Sequence, residues 1–412
     1  MRQAAAESSE TTGGGVGFWR ATIAGLCAML VGIGLARFSY TPLIPALIEA
    51  EWFDPAEAAY LAAANLAGYL AGALLAAPMA KRASAPFLLR LMMALTTVSF
   101  FACATPISFS WYFLWRLLSG ATGGALMVLA ASTVLRHVPP GRRGLAGGVI
   151  FTGVGLGIAF SGTLVPVLLA WGLTETWIGL GVLSLLMTGV AWGGWPRDDG
   201  SAEPSAPSRR APRSPALTVL YIVYGLIAAG LVAHMVFLVD FVARGLDKGI
   251  GVGSIYWIVF GVGAMVGPMI AGALADVTGF RPASRLTLFA AALCVALVVA
   301  SQGPVALAVS SFVIGGVVPG IVPLIVGRVH DLVPGDPAGQ RAAWGLATTA
   351  FAVGQAGAAY GFSYVFARID GAYLTLFGLS AGALALALAI DVLGSRARRP
   401  AESRPFPYDD CA

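Results

Sequence analysis

Three ionisable side chains lie inside long apolar runs of the sequence: Arg37, Arg116 and His234. Charged groups are costly inside a membrane, so each is a candidate for binding or relaying charge. Arg37 and His234 stand ~25 Å along their helices from the predicted cytoplasmic ends, and Arg116 stands ~8 Å below the opposite surface. The three groups therefore share one depth. Positive charge at that depth suits a carboxylate or similar anion, because arginine offers a planar, bidentate donor.

Two structural alternatives stay open for these residues. Arg37 and Arg116 have stems long enough to snorkel to the membrane surface, in which case they bind no substrate. A lone histidine in an apolar run, such as His234, is more often a buried side chain with a hydrogen-bond partner than part of a binding site. Its match to Arg37 at an offset of 197 residues favours a role in a cavity.

Polar side chains near these groups extend the candidate binding site. Tyr40 follows Arg37 by three residues, so helical spacing predicts that the two share a face. Asn65 and Tyr69 share one face of the second apolar run, and Gln355 is the main polar side chain of the eleventh. Each is expected either to contact substrate or to hydrogen-bond between helices.

Proton coupling has two candidate residues. Because no Asp or Glu stands in the middle of an apolar run, His234 and the more superficial Asp240 are the groups expected to titrate.

The composition excludes most soluble classes of protein. Of 412 residues, 58% are hydrophobic and 11% are charged, with a mean hydropathy of +0.82. Soluble domains carry about 25% charged residues. The net charge of +5 comes without a dense basic cluster, so no nucleic acid partner is expected. No nucleophile–base pair or metal-ligand spacing is present, and we expect neither enzyme activity nor a cofactor nor a metal site.

Apolar runs of ~20 residues predict an all-α membrane protein with twelve transmembrane helices. The predicted spans are 18–48, 57–80, 85–104, 109–135, 144–172, 175–195, 216–241, 250–275, 283–301, 304–327, 342–367 and 372–393. They divide the chain into an N-terminal six-helix bundle at 18–195 and a C-terminal one at 216–393. A polar tail at 1–17, a linker at 196–215 and a second tail at 394–412 complete the predicted domains, and we expect both tails and the linker to be cytoplasmic.

Lysine and arginine set the predicted orientation. With both termini inside, twenty of the 25 basic residues fall on the cytoplasmic side and three, Arg244, Lys248 and Arg368, fall outside. This asymmetry follows the positive-inside rule. It predicts a multi-pass membrane protein with both termini in the cytoplasm.

The two halves repeat. Gly272, Asp276, Gly279 and Arg281 follow the eighth span, and the segment that starts at Gly72 matches it in its glycine, leucine and basic residue. The ends of the fourth and tenth spans match as well, at 136–141 and 330–335. A duplicated six-helix unit explains both matches and places a cavity between the halves.

These motifs resemble the major facilitator superfamily over the whole chain. The G-x-L-x-D-x-x-G-x-R segment after the eighth span is similar to that superfamily's gate motif, and the segment 116–124 is similar to its R-x-x-x-G motif. Shorter segments at 37–45, 152–157 and 351–355 resemble a bacterial branch typified by the uncharacterised YbfB and YjiJ transporters. The resemblance implies a gradient-coupled carrier that works by alternating access. It also implies a cytoplasmic gate at Gly272, Asp276, Gly279 and Arg281, although Ala76 replaces the aspartate in the first half.

The predicted function is secondary active transport of a small organic anion across the inner membrane, coupled to protons. The expected partners are a small-molecule substrate, protons and the lipid bilayer, and the expected state is a monomer. One alternative is an efflux pump for amphipathic drugs or metabolites, in which Arg37 and Arg116 are structural. Another is a membrane receptor or scaffold that does not transport. For Asp276, pairing with Arg281 or capping of a helix is expected, with a simple topological anchor as the alternative.

Overall fold

The computed structural model describes residues 17–139, 142–196, 212–369 and 373–396. Within these ranges the chain forms long helices joined by short loops, and no strand. We number the helices along the chain as follows: α1 Gly17–Glu49, α2 Pro55–Ala80, α3 Ala85–Ala102, α4 Phe109–Arg136, α5 Arg143–Leu169, α6 Leu173–Trp192, α7 Pro215–Gly245, α8 Gly249–Thr278, α9 Phe280–Ala300, α10 Pro304–Leu332, α11 Pro337–Arg368 and α12 Tyr373–Arg396.

Eleven of these described helices are long and apolar enough to cross a membrane. The twelfth, α11, is the most polar of them by composition. The predicted all-α fold of twelve helices is confirmed. The largest differences in bounds are five residues: α10 ends that much later than expected, and α11 begins that much earlier. Asp336 explains the early start, because its carboxylate accepts a hydrogen bond from the backbone N–H of Gly339 at 2.9 Å and Pro337 occupies the first helical position.

We call the end of the bundle where α1 begins and α2 ends the basic face, since it carries those lysines and arginines predicted to be cytoplasmic that the structure describes. The opposite end, where α1 ends and α2 begins, is the acidic face. It carries Glu49, Glu51, Asp54 and Glu57. Asp54 and Glu57 also start α2 through a capping box.

Glycines bring α2 against α4, and α8 against α10, in the same way in the two halves. A Cβ added at Gly72 would overlap the carbonyl oxygen of Ala121, and one added at Gly120 would overlap that of Asn65. In the second half, Gly315 packs in the same manner on Phe260. Helices this close gain dispersion contacts that lipid cannot supply, which is why small residues line such crossings.

The two halves meet along α5 and α8 near the acidic face and separate toward the basic face. The close pairs on this seam are Gly162 with Ile258 and Gly155 with Met265. One heptad further toward the basic face stand Gly148 and Gly272, and a Cβ added at either would have no atom within 4 Å. The same helical faces are therefore in contact at one end of the seam and open at the other.

A buried ion cluster joins α9, α10 and α12 near the basic face. The carboxylate of Asp391 accepts hydrogen bonds from Arg328 and, at 2.6 Å, from Nε of Arg285. Arg328, one of the basic residues predicted on the cytoplasmic side, is buried inside α10. A paired carboxylate makes that burial possible.

Candidate substrate-binding site

The helices α1 and α7, which correspond in the two halves, are both interrupted by π-helical turns. In α1 the π-helical segment is Leu30–Leu35, followed by a turn at 36–39, and in α7 the segments are Ala233–Phe237 and Phe241–Gly245. Pro42 contributes to the break in α1, because it offers no N–H to the carbonyl of Phe38. Such interruptions re-aim side chains and expose backbone groups.

Arg37 lies at the interruption of α1 and points across the interface between the halves. Its guanidinium carbon is 5.2 Å from the ring centre of Phe38 and 5.3 Å from that of Tyr69. Nη2 reaches the sulfur of Met235 in α7 at 4.0 Å, and a thioether is a weak acceptor. Among the described residues no carboxylate or carbonyl oxygen accepts from this guanidinium. Arg37 is thus a half-buried cation whose strong donors are available to a ligand.

The C-terminal half supplies the facing wall. Gln355 of α11 is buried, and its Nε2 contacts the same Met235 sulfur at 3.5 Å. Tyr224 of α7 packs against Phe351 with ring centres 4.6 Å apart and ring planes tilted by 43°, and it lies near Tyr69. We call the region bounded by Arg37, Tyr69, Tyr224, Met235 and Gln355 the central site. It combines one free cation, one amide and aromatic surface.

Arg116 lies outside the central site. Its Nη1 donates to the carbonyl oxygen of Ala36 at 2.8 Å, and its guanidinium carbon is 4.1 Å from the ring centre of Tyr40. The side chain is only 3% exposed. The expectation that Arg37 and Arg116 converge on one anion is therefore wrong for this conformation, and snorkelling does not describe Arg116 either. Arg116 supplies a donor to a carbonyl at the interruption of α1.

Tyr40 and Asn65 also serve the interior of the N-terminal half. The Tyr40 hydroxyl donates to the carbonyl oxygen of Ala58 at 3.0 Å, and Asn65 Nδ2 donates to Ser119 Oγ at 2.9 Å. Tyr40 was predicted to share a helical face with Arg37, and this is wrong. The turn at 36–39 breaks the helical spacing between the two residues. The structure makes both residues links between helices.

His234 is fully buried inside the C-terminal half. Its Nε2 lies 2.6 Å from Ser310 Oγ of α10, and the ring stands edge-on to Phe377 of α12 at 4.9 Å. Nδ1 has no hydrogen-bond partner among the described residues. The expected position of His234 in the shared cavity is wrong, although its neighbour Met235 reaches the central site.

Asp240 is fully buried in α7, one and a half turns beyond His234. Its carboxylate accepts from Arg244 at 2.5 and 2.9 Å and from the hydroxyl of Tyr373 at 2.6 Å. The sequence analysis placed Arg244 in an outer loop, and this is wrong because Arg244 belongs to α7. The pairing neutralises a carboxylate that burial would otherwise penalise.

Side-chain bonds between the halves close the acidic side of the central site. Thr41 Oγ1 of α1 donates to the backbone carbonyl of Met235 at 2.6 Å, and Trp257 Nε1 of α8 donates to Ser161 Oγ of α5 at 2.9 Å. The rings of Phe38 and Trp257 lie 6.0 Å apart. Sequence reasoning missed Thr41 and Met235, since an isolated threonine and methionine in apolar runs carry no signal of their own.

The predicted gate residues lie at the basic end of the open seam. Asp276 is exposed and makes no hydrogen bond or ion pair with a described residue, so its expected pairing with Arg281 is absent in this conformation. Gly279 has φ +85°, a backbone conformation that side-chain-bearing residues rarely adopt, and it ends α8. Gly272 has open space on its Cβ side.

Comparisons with known proteins agree with this architecture. A family model described as the uncharacterised MFS-type transporter YbfB matches residues 29–392. A crystal structure of a mutant of the nucleoside transporter NupG is similar to this chain with a TM-score of 0.73 and 15% sequence identity, covering 92% of this chain and 99% of that one. No curated protein matches the sequence.

Proposed function

The chain belongs to the family of YbfB-type major facilitator transporters, and on this premise we propose that it carries a small organic anion through the central site. The observation that carries the proposal is Arg37, whose guanidinium lies between the halves without an anionic or carbonyl partner among the described residues. A carboxylate would complete two charge-assisted hydrogen bonds there. Gln355 and the aromatic rings of the central site suit the polar and apolar parts of such a molecule.

Alternating access is the second element of the proposal. Contacts between the halves at Thr41, Ser161 and Trp257 close the acidic side, while the seam of α5 and α8 is open at the basic end. With the basic face in the cytoplasm, as the positive-inside rule favours, this conformation faces inward. Asp276 then has no partner because the gate it serves is open. In the outward-facing state we expect the seam to close over Gly148 and Gly272.

The third element is coupling to protons through α7. His234 and Asp240 are buried titratable groups on the helix that supplies Met235 to the central site. Charging His234 where it lies would bury a cation that no described carboxylate pairs with, so we propose that it is neutral in this conformation. Asp240 is the acid whose protonation would release Arg244.

The test of the anion site is substrate affinity in proteoliposomes that contain Arg37→Gln, Arg37→Lys or wild-type protein. Radiolabelled organic acids are screened first, and affinity is then measured for the one transported fastest. One charge-assisted hydrogen bond is worth ~1.5–3 kcal/mol, so Arg37→Gln should weaken binding by at least ~10-fold. Lysine should rescue only part of this, since it lacks the planar fork.

Arg368→Gln is the matched control. Arg368 is exposed at the acidic-face end of α11, against the ring of Tyr364. Arg368→Gln changes the net charge by the same amount as Arg37→Gln. Wild-type affinity in Arg37→Gln, or a preference for cationic amphipathic compounds, would favour the efflux alternative. Specific binding with no transport in a sealed vesicle would favour a receptor.

The coupling is tested separately by collapsing the pH gradient with nigericin. Transport of the identified substrate should slow in wild type, and His234→Gln or Asp240→Asn should remove that dependence. Transport that ignores the gradient in wild type would contradict coupling while leaving the anion site intact.

A nucleoside is the second candidate substrate. The aromatic surface of Tyr224, Phe351 and Tyr69 suits a planar base, and the similar solved structure is of a nucleoside transporter. Uptake of uridine and adenosine in the same vesicles distinguishes the candidates, because a neutral nucleoside gains less from Arg37. Nucleoside uptake that survives Arg37→Gln would favour this second substrate.

A further inference from the structure

A second cavity lies away from the central site, at the basic face of the N-terminal half. It has a volume of about 360 Å³ and lies between the start of α1, the end of α4 and the loop after α6. The polar groups that line it are those of Arg20, His137 and Trp195. We call it the basic-face pocket.

Arg20 is the charged group of the basic-face pocket. Its side chain is exposed beside Gly193, and it makes no hydrogen bond or ion pair with a described residue. Gly194 packs on the backbone of Arg20, which holds the α6 loop against α1. The residue is thus held at its backbone, and within the described part of the chain its guanidinium has no partner.

One further donor belongs to a residue that lines the same cavity. Trp195 is 5% exposed, and its indole Nε1–H has no acceptor among the described residues. A buried N–H without an acceptor is a net cost to the fold, so an oxygen that enters the pocket and reaches this donor removes that cost. The His137 ring directs Nδ1 toward the carbonyl of Thr133 at 3.0 Å, so Nε2 of the neutral ring is an acceptor and does not serve the same purpose.

Among the described residues of the N-terminal half, no carboxylate lies near the pocket to compensate its charge. In the described part of the N-terminal half, every carboxylate side chain belongs to the acidic-face ends of the helices. These are Glu49, Glu51, Asp54, Glu57 and Glu175. The basic face carries Arg20, Lys81, Arg82, Arg90, Arg136, Arg142 and Arg143. The C-terminal half differs, because Asp391 neutralises two arginines near the same face.

The pocket also lies at the depth of a membrane surface. Trp19 and Trp192 are exposed near it, and Arg90 donates to the backbone carbonyl of Trp192 at 2.8 Å while lying over its ring. Exposed indoles at helix ends mark the level of lipid headgroups. Basic pockets between helices at the cytoplasmic surface bind anionic headgroups.

We propose that the basic-face pocket binds a phosphate group, supplied by the headgroup of an anionic phospholipid. Arg20 pairs with the phosphate oxygens, and the indole N–H of Trp195 offers a neutral donor beside it. This site is independent of the central site and of its substrate.

The experiment is a titration of the purified full-length protein with phosphatidylglycerol, followed by native mass spectrometry. The dissociation constant of the first bound lipid is compared for wild type, Arg20→Gln and Trp195→Phe. We expect about tenfold weaker binding for Arg20→Gln, from the loss of one charge-assisted contact, and about threefold for Trp195→Phe, which removes one donor and keeps the ring. Arg82→Gln is the matched control, since it removes an exposed charge from the same face outside the pocket.

Phosphatidylcholine and inorganic phosphate form the other arms. Phosphatidylcholine should bind more weakly than phosphatidylglycerol in wild type. Millimolar phosphate that displaces the first lipid would show that free phosphate is the source of the group, and failure to displace it supports the lipid. Equal affinity for the two lipids, unchanged binding in Arg20→Gln, or an equal loss in Arg82→Gln would overturn the proposal.

Discussion

Replacing Arg116 should destabilise the N-terminal half without weakening substrate binding. The guanidinium donates to Ala36 at 2.8 Å and lies 4.1 Å from the ring centre of Tyr40. In Arg116→Gln both contacts are lost, and the buried carbonyl of Ala36 at the interruption of α1 loses this donor. Arg37, the residue after Ala36, has its own contacts with Phe38, Tyr69 and Met235, and Arg116 makes none of them. Replacing Arg116 should therefore lower stability, whereas replacing Arg37 should lower substrate affinity.

The magnitude follows from the contacts. A hydrogen bond from a charged donor is worth ~1.5–3 kcal/mol, and a desolvated cation–π contact adds ~2 kcal/mol. Nε of Arg116 is buried without a partner, so its removal gives back ~1–3 kcal/mol. The net loss is about 2–3 kcal/mol. For a unit of 150–250 residues each kcal/mol lowers the unfolding midpoint by ~2–4 °C, so we expect a shift of ~5–10 °C.

The three buried free cysteines provide the assay. Cys27, Cys103 and Cys294 are inaccessible in the folded protein, and a thiol-reactive fluorophore reports their exposure on heating. A Cys411→Ser background removes the thiol that lies outside the described residues. Arg116→Gln should lower the midpoint with little change in the substrate affinity of the folded protein, whereas Arg37→Gln should do the reverse. An unchanged midpoint together with a tenfold loss of affinity in Arg116→Gln would return Arg116 to the binding site.

Three further predictions come from matched positions. Gly72→Ala should strongly reduce the yield of folded protein in size-exclusion chromatography, because its Cβ would overlap the Ala121 carbonyl. Gly272 is the equivalent position in the second half and has open space, so Gly272→Ala should give a normal yield. Asp391→Asn should lower the free energy of unfolding by on the order of 3 kcal/mol, because it leaves Arg328 buried without its carboxylate. Asp276 is exposed and has no partner among the described residues, so Asp276→Asn should keep the wild-type unfolding midpoint but slow transport. A full transport rate in Asp276→Asn would remove the gate assignment. Trp257→Phe removes the hydrogen bond to Ser161 between the halves. A cysteine introduced near the acidic side of the central site should then react faster with an impermeant thiol reagent. Equal reaction rates in the variant and in wild type would mean that this bond does not hold the acidic side closed.

Apolar length determined the helices. A run of ~20 apolar residues has one stable solution in lipid, a helix that satisfies its own backbone, and so the twelve spans could be predicted to within a few residues. The repeat at Gly72 and Gly272 likewise indicated two related halves.

The depth of a residue along its helix could be calculated from the sequence. The direction in which its side chain points around the helix could not. Arg37, Arg116 and His234 stand at similar depths, yet only Arg37 faces the other half. The turn at 36–39 rotates Tyr40 away from Arg37, and helical spacing assumes that no such turn exists. The interruption is stable because Arg116, some 80 residues later, donates to it. Long-range contacts of this kind are set by tertiary packing, so only the folded structure could separate the arginine that is free to bind a substrate from the one that holds the helix.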